Sequence, residues 1–134
     1  MNTKQKGQAI VETAIMLPII LLLILGAIDP FLFGMNNAMA KVYTYQGAHE
    51  ATIWIAGDNQ TCYERSHAIL SDGVDPGLVQ VSSWTFAIYP CPNDPYWTTP
   101  TGSEVLSTFE FDFTPFFWPT ADWHGSVSTR GIFQ

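Results

Sequence analysis

The chain has 134 residues, with 5 Lys plus Arg against 12 Asp plus Glu and a formal net charge of −7. Binding to nucleic acid rests on cationic neutralisation of phosphates, so this balance argues against a nucleic-acid partner. With 47% hydrophobic, 14% aromatic and only 13% charged residues, the composition excludes intrinsic disorder and indicates that part of the chain is not meant for water.

The first element in chain order is the run Ala9 to Ile28, AIVETAIMLPIILLLILGAI, which carries a single charge, Glu12. At 1.5 Å per residue it makes about 30 Å of helix, the thickness of a bilayer hydrocarbon core. Its apolar residues run all round the helix, and the rest of the chain is too short to wrap it on every side. The run therefore reads as a membrane anchor rather than a core helix. Lys4 and Lys6 precede it, and Lys41 is the nearest cation after it. By the positive-inside rule the N-terminus lies in the cytoplasm and the remainder outside. From Gly34 onward there are three cations and ten acids, so the whole net charge belongs to that outer part.

Gly34 to Ala56 contains no proline and reads as continued helix, with Met35, Met39, Val42, Tyr45, then Thr52 and Ile55 recurring at spacings of three and four and His49 interrupting the stripe. Gly57-Asp58-Asn59 looks like its stop. Asp29-Pro30 is the expected weak point, because proline disfavours helical geometry in the residue before it, and Pro18 is a second expected kink. Glu64 to Leu70 suits a short helix ended by Asp72-Gly73. The run LVQVSSWTFAIY, from Leu78 to Tyr89, is β-branched and aromatic and reads as a strand. After the proline-rich loop PCPNDPYWTTPTGS, Phe109, Phe111 and Phe113 alternate with Glu110, Asp112 and Thr114, a strand with one buried face. Ser126 to Phe133 suits a third strand.

These elements add up to an α+β chain: a long N-terminal transmembrane helix and a small extracytoplasmic head with a short antiparallel sheet. The organisation expected is a basic leader over 1–7, the helix and its outer continuation over 8–57, and the head over 58–134. Cys62 and Cys91 both fall in the head, where an oxidising compartment and a small core favour a disulfide. No metal or cofactor is expected, since His49, His67 and His124 are scattered and there is no CxxC.

The most informative stretch is Lys6-Gly7-Gln8-Ala9-Ile10-Val11-Glu12. A glutamate inside an apolar helix is costly and asks for a cationic partner. Cleavage after Gly7 would create a new α-amino group at Gln8, able to neutralise Glu12 of a neighbouring subunit in a helical assembly. A basic leader, a glycine and a hydrophobic helix with Glu at its fifth residue resemble the type IV prepilin processing pattern. The longer wording, GQAIVETAIMLPIILLLILGAID followed by an Ala/Met-rich helix ending YQGAHEATIWIA, is similar to the TadE-like pseudopilins of tight-adherence (Flp) pilus systems. The likeness continues more weakly through VDPGLVQVSS and FEFDFTPFF to GSVSTRGIFQ. Thr13 stands where pilins usually show an aromatic, and Pro30 where TadE-like sequences usually continue with Phe-Gly.

The resemblance implies a non-enzymatic minor pseudopilin in the cytoplasmic (inner) membrane, single-pass, with its head periplasmic or extracellular. It implies processing by a prepilin peptidase and association with membrane lipid and other pilins or pseudopilins. By residue, Gly7 and Gln8 flank the cleavage site and Glu12 is the signature acid.

Three rival readings weigh less. Ala38-Met39-Ala40 fits a signal-peptidase site, but the apolar segment is too long for a signal peptide and contains Glu12. An anchored enzyme lacks a nucleophile or metal signature. The alternative of different class is an anchored or secreted adhesin or carbohydrate-binding module, because most aromatics lie from Trp84 onward. Core packing suits Phe109, Phe111 and Phe113; for Trp97 and Trp123, packing and partner contact fit equally.

Overall fold

A computed structural model describes residues 3–53, 60–91, 102–118 and 121–132. The expected helix stop at Gly57-Asp58-Asn59, the 57/58 domain boundary and Trp97 lie outside the described residues. The chain folds as α1 (Thr3–Thr52), α2 (Cys62–Gly77), β1 (Val81–Tyr89), β2 (Glu104–Phe113) and β3 (Trp123–Ile132).

Helix α1 runs unbroken for 50 residues through both Pro18 and Pro30, a length of about 75 Å. The expected break at Asp29-Pro30 does not occur. Local preference yields there because the Asp29 carboxylate is held by two backbone amides of a distant loop, which fixes this turn from outside. Around Pro18 every neighbour is apolar, and unpairing further backbone groups would cost more than the one hydrogen bond proline forfeits. The N-terminal part of α1 stands clear of the rest: Ile10, Leu22 and Leu23 are each about 70% exposed. Among the described residues, one helix, within Ile10–Thr52, is long and apolar enough to cross a membrane.

The three strands form one antiparallel sheet in the order β1-β2-β3. Phe86 pairs with Phe109, Phe109 with Val127, Phe111 with Gly125 and Phe113 with Trp123. Period-two alternation puts Val105, Ser107, Phe109, Phe111 and Phe113 on one buried face of β2. The second half of α1 covers that face and closes an α+β core with Phe86, Ile88, Ala40, Tyr43 and Ala51. The expected strands are all present, with β2 and β3 each beginning earlier than their sequence cues.

The covering face of α1 differs from the expected stripe. Val42 and Tyr45 are 49% and 65% exposed, whereas Asn36, Ala40, Thr44, Ala48 and Ala51 are buried. Close approach explains the choice. The sheet contributes the bulk through its phenylalanines, so the helix must contribute small residues. A Cβ added to Gly47 would meet Phe86 Cζ at 2.5 Å, and one added to Gly125 would run into the Phe111 ring. Val42 and Tyr45 face away from the sheet, whereas Tyr43 is buried in the core and Met39, a member of the expected stripe, packs against it.

Helix α2 is longer than expected, passing Asp72-Gly73 and ending at Gly77. Its start is set by a reciprocal capping box: the Glu64 amide donates to Thr61 Oγ1 at 3.1 Å and the Thr61 amide donates to Glu64 Oε2 at 2.9 Å. Arg65 Nε donates to Glu50 Oε2 at 2.9 Å and ties α2 to α1. Such a partly exposed pair is worth about 1 kcal/mol or less. The Cys62–Cys91 disulfide, with Cα atoms 5.5 Å apart, joins the head of α2 to the end of β1.

Candidate functional site

Among the described residues two regions stand out: the bare apolar stem, and the junction where the stem enters the head. On the stem, Gly7 and Gln8 lie within α1. Helical spacing brings Gln8 and Glu12 onto one face, and Gln8 Nε2 donates to Glu12 Oε1 at 3.2 Å. Glu12 is exposed, and its neighbours Ile15, Met16, Leu17 and Ile20 border it along one side of the helix. An exposed carboxylate among aliphatic side chains is a poor neighbour for hydrocarbon and a good acceptor for an incoming ammonium group. The chemistry that Glu12 offers here is pairing with a cation.

The junction is built from polar residues that the apolar pattern does not announce. Asp29 is fully buried. Its Oδ1 accepts the Phe116 amide at 2.9 Å and its Oδ2 accepts the Phe117 amide at 2.8 Å. Two turns later on the same face, Asn36 is also fully buried. Its Nδ2 donates to the Val79 carbonyl at 2.7 Å and its Oδ1 accepts the Val79 amide at 3.0 Å. Asn36 thereby treats Val79 as a strand neighbour would. Farther along, the Thr44 and Thr129 hydroxyls meet at 3.0 Å. Between the two latches Phe33 packs on Phe111, Phe113 and Trp123, with ring centroids 5.7, 5.8 and 5.4 Å away. Trp123 therefore packs at the junction. Its register partner is Phe113.

Replacing Asp29 with alanine strands two loop amides and is expected to lower stability by about 1–3 kcal/mol. Denaturant unfolding of the full chain in detergent, with hydrogen exchange at Phe116 and Phe117, measures it. Unchanged exchange at both amides would show that the carboxylate does not hold the loop.

The outer face of the sheet carries a second polar group. Asp112 Oδ2 accepts the Ser83 hydroxyl at 2.6 Å, and its Oδ1 lies 3.0 Å from His124 Nδ1. The Ser83 hydrogen bond, then that of His124, holds the Asp112 carboxyl below its ordinary value. The aspartate stands between serine and histidine, so the imidazole cannot act as base toward this hydroxyl, which nucleophilic catalysis requires. His124 sits on β3 opposite Asp112. His67 is partly buried: it stacks on Tyr63 at 3.9 Å and meets Phe86 edge-on at 5.0 Å. Burial pushes its pKa down. The helix continues past this position, and the sheet it faces displaces water from the ring.

Residues 7–49 of the chain match the family model of the TadE-like proteins. No curated protein and no solved structure matches the chain.

Proposed function

We propose that this chain, TadE-like from residue 7 to residue 49, is a minor pseudopilin of a tight-adherence (Flp) pilus system, held in the cytoplasmic membrane by the first part of α1. The observation that carries the reading is the bare stem: from Ile10 to Ile24 its large apolar side chains are about half exposed or more, around the one acid Glu12. Such a surface is stable in lipid or against other apolar helices and nowhere else.

In this reading a prepilin peptidase cuts between Gly7 and Gln8. The new α-amino group of Gln8 supplies the cation that the apolar stem lacks. It pairs with the Glu12 carboxylate of an adjacent subunit, while Ala9, Ala14, Gly26 and Ala27 allow helices to approach closely. Pairing removes two unfavourable charges from hydrocarbon at once, so it drives lateral association rather than insertion. The α+β head is carried outside and makes contacts with pilins or other pseudopilins. No catalytic group is needed for this role.

Glu12→Ala tests the reading. The variant is expected to enter the membrane as well as the unchanged chain, because a charge has been removed from the apolar run, yet to reduce surface piliation at least tenfold. Piliation is scored by counting filaments and insertion by carbonate extraction. Normal piliation with Glu12→Ala would show that this acid does not direct assembly.

A further inference from the structure

The membrane anchor fixes where one end of the head must sit. The apolar run ends at Ile28, and the next residue, Asp29, holds the backbone of Phe116 and Phe117. The loop between β2 and β3 is therefore pinned at the level where the apolar stem stops. The rest of the sheet runs away from that level: Phe113 and Trp123 contact Phe33, one turn past Asp29. At the opposite end, Gly131 lies against Thr52 and Ala48.

Three large aromatics are exposed at the stem-side pole. Phe31 is 71%, Phe116 67% and Trp118 59% exposed. The stretch Phe113 to Ala121, FTPFFWPTA, has no charged residue, although the head bears the whole net negative charge. At this pole Asp29 is buried beneath the loop, and the exposed Asp122 stands at the far end of the loop, just before β3. Exposed aromatics in an uncharged stretch, level with the end of a membrane-crossing run, suit the bilayer interface, where tryptophan sits at the headgroup level and phenylalanine buries at the boundary with the acyl chains.

We propose that the β2–β3 loop is a second membrane contact: Phe116 and Trp118, with Phe31 beside them on α1, rest in the outer interface of the bilayer. The surface they form is continuous with the lipid-facing stem, and its occupant is the bilayer lipid. Asp29 serves as the pin, fixing the depth of the loop relative to the anchor. The head is thus held against the membrane at one pole, with its acidic outer surface directed to solvent. Such a seat lets the loop report whether the stem is in the bilayer or has been drawn out into a filament. This inference rests on the membrane-anchor reading.

The test uses the full chain reconstituted singly in phosphatidylcholine nanodiscs, the lipid brominated either near the headgroup or near the chain end. Tryptophan fluorescence is read for the unchanged chain and for Trp118→Phe. The expected result is stronger quenching by the shallow bromines than by the deep ones, with the quenched part falling by at least half in Trp118→Phe. Phe116→Ser, at another exposed position, is expected to lower the shallow quenching as well. Equal quenching of the unchanged chain and Trp118→Phe, or none in either, overturns the loop contact if the chain resists carbonate extraction. Extraction of the unchanged chain by carbonate overturns the anchor reading and the loop contact with it.

Discussion

Phe109→Ala is expected to destabilise the head by about 3–5 kcal/mol, the range for emptying a large aromatic from a packed core. Phe109 is fully buried at the middle of the central strand. Its ring lies 5.7 Å from Trp84 in a stacked arrangement and 6.3 Å from both Phe86 and Phe111. The cavity is slow to collapse, because α1 already approaches the sheet through glycine and alanine and has nothing to move into the space. A domain of this size has a total stability of about 5–10 kcal/mol, so the loss is a large share. Denaturant unfolding of the full chain in detergent, followed by the fluorescence of Trp84 and its neighbours, measures it. A shift below about 1 kcal/mol would mean that the head is not organised around this ring.

Loss of the Cys62–Cys91 bond is expected to cost about 3–4 kcal/mol by the chain-entropy account for a loop of this length. The two cysteines are 29 residues apart, and the loop they close contains α2 and β1. Ser66 Oγ of α2 also lies 3.5 Å from Cys91 Sγ, and Arg65 and Glu50 link α2 to α1 at its partly exposed edge. Cys62→Ser with Cys91→Ser, compared with the unchanged chain in the same denaturant series, isolates the effect. The expected signature is a lower midpoint together with earlier exposure of the α2 amides to hydrogen exchange. Equal midpoints would show that α2 is held by its packing alone.

How far each element could be read ahead depends on whether its cause is local. The stem was legible because twenty apolar residues with one acid have few stable uses, and β2 because Phe109, Phe111 and Phe113 alternate with polar residues. The cysteine pairing followed from count and compartment. The inward face of α1 was misread for a physical reason. Of the expected stripe, Val42 and Tyr45 are exposed while Met39 packs against the core, and the rest of the inner face is made by small residues together with Tyr43 and Phe33. The clue was present in Asn36, Ala40, Gly47, Ala48 and Ala51, which recur at helical spacing.

Asp29 was illegible for a different reason. Its partners Phe116 and Phe117 lie 87 and 88 residues away, and nothing local distinguishes a carboxylate that caps a loop from one that ends a membrane run. Asn36 and Val79 pose the same problem over 43 residues. The start of α2 was within reach, since Thr61 and Glu64 spell a capping box. Its end was not, because Asp72-Gly73 looks like a stop, whereas Gly77 sits where an added Cβ would crowd Tyr43 and Met39. On the stem, the likeness in sequence and the bare helix surface point the same way. In the head, the fold explains stability and leaves function to its surface.

The central claim, that the stem is a pilin-type helix released for assembly at its N-terminus, is tested most directly by the intact mass of the protein isolated from membranes with and without its cognate prepilin peptidase. The account predicts a chain beginning at Gln8, lighter by Met1 to Gly7, when the peptidase is present, and the full chain when it is absent. A full-length chain in both preparations, or one beginning at Lys41, would contradict it.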